Sequence, residues 1–301
     1  MAWYTSRIPR YAPEALSTFR IADTVRPGPI TRRFRGDGEA VVMVIEDAYV
    51  MESLSENGLL PDGCESVFLS GTLIRGWGNP NSDLNITIIT REPWTSPGAE
   101  CSFVALDPPT VIGEKLHVEG RRWDIEYWQD SQVEQAMAKL SHEAFMGDQA
   151  VWKLLTEEEF AFLEGIPYAV AVSGPEWLDN RRRQQRESAY TAILVSRSLD
   201  HADGFAEEAD GACEAGDLDS AVLAARSAFG HAVDALLAAH GEFGHSPKCR
   251  ARRFREARPS LLAFDRYWEV ETMRTFDPAR PAGWVREVIS LCRRISMEVE
   301  V

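Results

Sequence analysis

One stretch of the chain, residues 67–87, constrains the fold more than any other. It reads Val-Phe-Leu-Ser-Gly-Thr-Leu-Ile-Arg-Gly-Trp-Gly-Asn-Pro-Asn-Ser-Asp-Leu-Asn-Ile-Thr. The apolar run predicts a strand, Gly-Thr a tight turn, the polar middle a loop, and the end a second strand that opens on Ser82 and Asp83. Asp83 and Asn85 are two residues apart, so their side chains share one face of a sheet and can share a cation.

The Gly71-Thr72 turn supplies the other half of the pattern. Its backbone N–H groups and its hydroxyl suit an anion. Arg75 follows in the loop, and its forked donors suit the same phosphates. A cation site beside an anion site predicts the binding of a magnesium–nucleoside triphosphate. Each feature alone is weak evidence, because Gly-Thr turns occur in many hairpins and an Asp at a strand edge is usually a turn residue.

In this order the features resemble the nucleotidyltransferases of the DNA polymerase beta superfamily. That family has Gly-Ser, a loop, Asp-x-Asp at a strand start, and a third carboxylate from a later strand. Here Gly71-Thr72 and Asp83-Leu84-Asn85 match the first parts, and Asp124, with apolar residues alternating around it, fits the third. The resemblance implies an α+β fold, with a mixed-sheet catalytic domain flanked by helices and followed by an all-α helical-bundle domain.

The resemblance also implies a chemistry. An acceptor oxygen attacks the α-phosphorus of ATP or another nucleoside triphosphate, and pyrophosphate leaves. Two Mg²⁺ ions clamp the attacking and leaving oxygens. The implied catalytic and metal-binding residues are Asp83, Asn85 and Asp124, and the candidate nucleotide-binding residues are Gly71, Thr72, Arg75, Ser82 and Lys248.

Position 85 departs from the family pattern, because Asn stands where the family has an acid. The amide keeps a carbonyl oxygen for a metal but loses the charge that bridges two ions. Asp83 and Asp124 can still hold Mg²⁺ together with substrate phosphates, so nucleotide binding should survive better than turnover. Three explanations compete: a natural variant with altered chemistry, a degenerate binding module, or a deliberately inactivated form. We favour an inactivated or weakly active enzyme.

The charge balance bears on the acceptor. The chain has 32 basic and 47 acidic residues and a formal net charge of −15. Proteins that act on long polynucleotides normally spread Lys and Arg over one face, so the composition argues against a long nucleic acid and for a small acceptor. Antibiotics and specialised metabolites are acceptors of this class. The sequence leaves the acceptor, the preferred base and the oligomeric state open.

The cysteines and the hydropathy bear on the compartment. The 5 cysteines are odd in number and widely spaced, and the chain contains no Cys-x-x-Cys. This pattern predicts reduced thiols in a cytoplasm rather than a disulfide framework or a zinc site. We also expect no export signal and no membrane span, because the N-terminus lacks an apolar core and no long apolar run follows.

The pattern along the chain predicts three parts: an extended arm over residues 1–36, a catalytic domain over 37–174, and a helical acceptor-binding domain over 175–301. We expect a helix within 38–58, strands near 65–70, 83–90, 101–106 and 120–128, and helices at 131–140 and 148–163. Beyond Pro175 we expect helices at 176–209, 217–240, 248–256, 259–274 and 281–299. Breaks are expected at Gly211, Gly216 and Gly241, among others.

The helical part resembles that of small-molecule nucleotidyltransferases, including aminoglycoside-modifying ones. Residues 236–250 resemble a turn of such families that ends in Pro-Lys-Trp, with Cys249 in place of the Trp. Ser246-Pro247 before Lys248 predicts a helix start whose free N–H groups and ammonium suit a polyphosphate. A solvated basic first turn explains Lys248 equally well.

Two other functions stay open on the sequence. In one, the chain is a degenerate nucleotide-binding regulatory or scaffold protein, which Asn85 favours. In the other, it places AMP on a side chain of a partner protein, as in some toxin–antitoxin pairs. No tract of the sequence identifies such a partner.

Overall fold

A computed structural model describes residues 30–33, 42–96, 98–147 and 150–299. The strands are β1 (Ile30–Arg33), β2 (Val42–Ile45), β3 (Ser66–Ser70), β4 (Leu84–Thr90), β5 (Glu100–Phe103), β6 (Thr110–Val118), β7 (Arg121–Gln129) and β8 (Val170–Ser173). The helices are α1 (Asp47–Glu56), α2 (Gly71–Ile74), α3 (Asp130–Lys139), α4 (His142–Phe145), α5 (Glu157–Gly165), α6 (Pro175–Arg186), α7 (Tyr190–Ala215), α8 (Leu218–Ala239), α9 (Pro247–Ala257), α10 (Phe264–Glu271) and α11 (Pro281–Glu298).

Six of the strands form one mixed sheet in the order β5-β6-β7-β4-β3-β8, and β1 pairs with β2 in a separate antiparallel ribbon. Within the large sheet β4 and β7 run parallel, and the other neighbours run antiparallel. Helices α6–α11 follow the sheet in the sequence. The predicted α+β class, a mixed sheet followed by an all-α region, is confirmed.

The two faces of the sheet pack into different cores because side chains alternate along each strand. Leu84, Ile86 and Ile125 belong to the smaller core, which also includes residues of α1. Phe68 and Trp128 belong to the larger core, which continues through the helical part of the chain. Asn85 and Asp124 alternate with residues of the smaller core, so they lie on the opposite sheet face, the one that packs against the larger core.

Helix α8 is the centre of the helical part. Its apolar stripe is buried and comprises Val222, Ala225, Phe229, Val233 and Leu236. The Asp217 carboxylate caps the start of the helix by accepting a hydrogen bond from the Ser220 N–H at 3.2 Å. Gly241 follows the helix end with φ +77°, which suits glycine. This helix is long and apolar enough to span a membrane, but its apolar surface is mostly buried in the fold, and no membrane protein is indicated.

Several sequence predictions about the elements were wrong. The expected helix at 38–58 begins only at Asp47, because residues 42–45 form β2. The expected long helix at 176–209 is interrupted between α6 and α7, while Gly211 lies inside α7 and does not end it. Strands β6 and β8 were not predicted. Most of the predicted N-terminal arm lies outside the described residues, and the three-part domain division stays a prediction.

Candidate nucleotide-binding site

The site is built on a row of side chains that crosses four adjacent strands. Asn85 on β4 is paired with Asp124 on β7 in the parallel register and with Ser70 on β3 in the antiparallel one. On the other side, Asp124 is paired with Lys115 on β6. Paired residues of neighbouring strands point to the same face, so these four side chains lie side by side. Two of the three predicted catalytic residues are therefore direct neighbours.

Asp83 joins them through Arg122, a residue that the sequence analysis did not select. One guanidinium nitrogen, Nη2 of Arg122, donates to the Oδ2 atoms of both Asp83 and Asp124, the latter at 3.1 Å. The carboxylates raise the pKa of Arg122, and Asp124 has the largest effect. The two acidic side chains therefore converge on a single cationic nitrogen. All three predicted catalytic residues lie together, as the motif requires.

The same carboxylates fit a magnesium ion in part. Oδ1 of Asp124 is buried and has no hydrogen-bond partner among the described residues, so a buried acceptor is available. Magnesium is commonly held by one or two carboxylates plus phosphate oxygens and water. The described part of the chain contains no cluster of three or more His, Cys, Asp or Glu side chains arranged for a metal ion. Asp83 and Asp124 therefore fit a magnesium ion that arrives with a nucleotide better than a permanently bound one.

The Gly71-Thr72 turn lies directly against this row. Gly71 follows the last residue of β3 and has φ +80°, which favours glycine. A Cβ atom at Gly71 would overlap the side-chain amide of Asn85, so the close approach also requires glycine. The Thr72 hydroxyl has no side-chain hydrogen bond among the described residues, whereas its carbonyl accepts from Trp77 N–H at 2.8 Å. The turn and the carboxylates form one continuous site.

Ser82 shapes the loop that leads into β4. Its hydroxyl accepts a hydrogen bond from the Asn79 N–H at 2.8 Å, and its carbonyl accepts from Arg121 at 2.7 Å. These contacts fix the position of the neighbouring Asp83. The observed role of Ser82 is thus to support the loop, and direct nucleotide contact by Ser82 stays a prediction.

Arg75 has a different set of partners from those that the sequence predicted. Its guanidinium forms an ion pair with Glu242 at 2.5 Å and lies 3.5 Å from the ring centroid of Trp77 and 3.7 Å from that of Tyr168. The Tyr168 hydroxyl in turn accepts a hydrogen bond from the N–H of Phe243 at 2.8 Å. Arg75 thereby connects α2 to the segment after α8. A contact between Arg75 and a phosphate stays a prediction.

The helix start at Lys248 is confirmed, since α9 begins at Pro247 with Ser246 as its N-cap residue. Lys248 is exposed, and the structure gives it no ion pair among the described residues. Arg252, one turn later on the same side of α9, donates to the carbonyl oxygen of Trp77 in the loop after α2. This contact places one side of α9 against that loop. A contact between Lys248 and a phosphate chain stays a prediction.

A further acid on the same face also escaped the sequence analysis. Glu126 lies two residues after Asp124 on β7 and accepts a hydrogen bond from the indole N–H of Trp128 at 3.2 Å. Desolvation of its carboxyl group raises its pKa, although the residue as a whole remains exposed, and the negative charges of Asp124 and Glu158 raise it further. The period-2 alternation of β7 was the available signal for Glu126 and Arg122, because it places both on the Asp124 face.

No protein-family model matches the chain, and no curated protein matches it. Among solved structures, a nucleotidyltransferase-like protein from Exiguobacterium sibiricum 255-15 is similar over 83% of this chain and 74% of that chain, with a TM-score of 0.46 and 10% sequence identity. A likeness at this level does not establish function.

Proposed function

We propose that the protein is a magnesium-dependent nucleotidyltransferase that moves a nucleoside monophosphate, AMP from ATP, to a small-molecule acceptor. One observation carries the proposal. The carboxylates of Asp83 and Asp124 converge on one cationic nitrogen, beside a Gly71-Thr72 turn that packs on Asn85. A cation position and an anion-binding turn are the two parts that a magnesium-bound triphosphate needs.

The residues of the site have three roles: binding magnesium, binding the phosphates and accepting the proton of the acceptor. Asp83 and Asp124, with the amide oxygen of Asn85, would hold magnesium, which neutralises the phosphate charge when it is bound with nucleotide. Gly71 and Thr72 would hold the β- and γ-phosphates through backbone N–H groups and the hydroxyl. Asp124, whose Oδ1 has no partner in the described structure, would orient the acceptor hydroxyl and accept its proton.

A second function is favoured by two specific observations. Asn85 removes one negative charge from the site, and Arg122 places a positive charge between the two remaining carboxylates. Both changes weaken the binding of two metal ions. A protein that binds the nucleotide and signals its presence without transferring it would tolerate both. We therefore keep a nucleotide-binding regulatory protein as the second candidate.

Calorimetric titration of ATP, with and without Mg²⁺, tests the site itself. We expect Asp124→Asn to weaken magnesium-dependent ATP binding at least about tenfold, because one of two charged ligands is lost. Asp62→Asn is the matched control, because this substitution removes the same charge at an exposed position outside the row. Equal ATP affinity in both variants would refute both candidate functions.

Pyrophosphate release separates the two candidates. The wild-type protein is incubated with ATP, Mg²⁺ and a panel of hydroxyl-bearing small molecules, aminoglycosides among them. Release that depends on both Asp124 and an acceptor supports transfer. Magnesium-dependent ATP binding without release from any acceptor supports the regulatory protein and refutes the enzyme.

A further inference from the structure

The first residue after α2 is an arginine that lies between two aromatic rings. The guanidinium carbon of Arg75 is 3.5 Å from the ring centroid of Trp77 and 3.7 Å from that of Tyr168. Contacts this short are made by the flat face of a guanidinium, and a planar group has only two faces. The two rings therefore lie on opposite faces of Arg75, about 7 Å apart.

This spacing is the width of a slot for one flat ring. Carbon atoms in contact lie about 3.5–4.0 Å apart, so a planar group between Trp77 and Tyr168 would touch both rings. A nucleobase is such a group, and bases stack on aromatic side chains. Arg75 thus occupies a position into which a base fits.

The two residues that form the slot are anchored by contacts that do not involve the Arg75 side chain. The Tyr168 hydroxyl accepts a hydrogen bond from the N–H of Phe243 at 2.8 Å. The N–H of Trp77 donates to the carbonyl oxygen of Thr72 at 2.8 Å. Both residues therefore keep their anchors when the Arg75 side chain moves out of the slot.

The slot lies on the wall of a cavity beside the proposed phosphate site. The cavity has a volume of about 780 Å³, within the range of small-ligand pockets. Val170 also lines it, and the partner of Val170 on β3 is Leu69, which directly precedes Ser70 at the end of the carboxylate row. The N–H of Arg75 donates to the carbonyl oxygen of Gly71 at 3.2 Å, so the slot is about one helical turn from the phosphate turn. A nucleoside triphosphate is long enough to reach both.

A carboxylate marks one edge of the slot. Glu242 pairs with Nη2 of Arg75 at 2.5 Å, so it lies near the plane of the guanidinium and of any ring that replaces it. A carboxylate only accepts hydrogen bonds, and the amino group of adenine or guanine donates them. Uracil has only a ring N–H between two carbonyl oxygens, which repel a carboxylate. The edge therefore favours a base with an amino group.

We propose that Trp77 and Tyr168 stack on an amino-bearing base of the nucleotide, and that this base displaces Arg75 from the slot. The inference rests on the proposed nucleotide binding and adds to it a base site, a base preference and a rearrangement. The displaced guanidinium stays close to Gly71, where the phosphates of the nucleotide become its anionic partner in place of Glu242. The Glu242 carboxylate in turn accepts a hydrogen bond from the amino group of the base.

Calorimetric titrations of the full chain in Mg²⁺, with ATP and with inorganic triphosphate, test the stacking. Trp77→Leu should weaken ATP at least about fivefold and leave triphosphate unchanged, because triphosphate has no base. Trp77→Phe keeps a flat ring and should retain most of the ATP affinity. Trp268→Leu is the matched control, since it removes an indole that is 39% exposed on α10 and does not line the cavity.

The base preference and the displacement have separate measurements. Glu242→Gln should lower the preference for ATP over UTP at least about threefold, because an amide both donates and accepts hydrogen bonds. Adenosine has no phosphates, and it should bind Arg75→Ala more tightly than the wild type, because the slot is then free of the guanidinium.

The outcomes separate this inference from the proposed function. If the wild type shows no magnesium-dependent ATP binding, both are overturned. If ATP binding depends on Asp124 but is unchanged in Trp77→Leu, only the base slot is overturned. Equal losses of ATP and triphosphate affinity in Trp77→Leu would show that the variant disturbs the phosphate turn and would also overturn the slot. The same holds if Arg75→Ala does not raise the affinity for adenosine.

Discussion

The substitution Asn85→Asp probes the site most sharply, because it adds one charge to a fixed row with almost no change in shape. Asn85 is the direct neighbour of Asp124 across two parallel strands, and such neighbours are about 4.8 Å apart. Two carboxylates at about 5 Å repel by about 1 kcal/mol in water and about 3 kcal/mol at an effective dielectric of about 20. Without a metal ion, the variant should therefore be less stable than the wild type.

The magnitude follows from the surroundings of position 85. Arg122 lies beside the row and offsets part of the repulsion, so we expect a loss of about 1–2 kcal/mol. For a protein of this size, that corresponds to a decrease in melting temperature of about 2–3 °C. A divalent cation reverses the sign, because the new carboxylate attracts it with twice the charge. Magnesium affinity should rise at least about tenfold.

Thermal unfolding in EDTA and across a Mg²⁺ titration, with and without ATP, measures both effects. The expected signature is a lower melting temperature without magnesium and a larger magnesium-induced increase. Asn81→Asp is the control, since it adds the same charge at an exposed position of the preceding loop. If Asn85→Asp and Asn81→Asp behave alike in both conditions, position 85 does not belong to a cation site, and the proposed function loses its basis.

Four further predictions follow from single contacts. Arg122→Ala should tighten magnesium-dependent ATP binding several-fold by calorimetry, because the ion no longer competes with a guanidinium for the same two carboxylates; weaker binding would instead assign Arg122 to the phosphates. Lys248→Ala should weaken the binding of ATP more than that of AMP, because the predicted contact is to the outer phosphates, and equal losses would leave Lys248 a surface residue. Asp234→Ala should destabilise the protein by about 3–5 kcal/mol in urea unfolding, because two guanidinium groups lose their buried partner; a loss below about 1 kcal/mol would contradict this estimate. The hydrogen bond that the His245 ring donates to the Glu164 carboxylate raises the pKa of His245, so this pair contributes stability below the unfolded-state pKa that is lost as the pH rises through the folded-state pKa. His245→Gln should remove that part of the stability–pH curve, and an unchanged curve would show that the pair does not contribute.

The strands that carry the site could be predicted from the sequence because their patterns are local. Strands β3, β4 and β7 alternate or run continuously in apolar residues, and the observed bounds agree with the expected ones to within about two residues. Strand β6 is paired on both edges, but its faces are partly exposed, and it carries Gly113 and several polar residues. Its sequence therefore shows only a weak strand pattern. The apolar run before α1 was assigned to a helix because short apolar segments fit both periods.

The composition of the site could be predicted only in part, because contacts between distant residues depend on register. Asp83, Asn85 and Asp124 were found through their order in the chain, and the strand pairing brings them together. The alternation of β7 places Arg122 on the Asp124 face, but its contact with Asp83 could be found only by knowing that β7 lies beside β4. The ion pair between Arg75 and Glu242 could not be predicted, because the two residues are separated by most of the chain.

The placement of Arg75 has a mechanical consequence. Its guanidinium contacts the rings of Trp77 and Tyr168 and the carboxylate of Glu242. Arg75 is also the residue that directly follows α2. The segment after α8 is therefore joined to the short helix that begins at Gly71, and Gly71 in turn touches the Asn85 side chain. A rotation of the helical part would pull on α2 and change the spacing around Asn85. The contact therefore ties the position of the segment after α8 to that of the Gly71 turn.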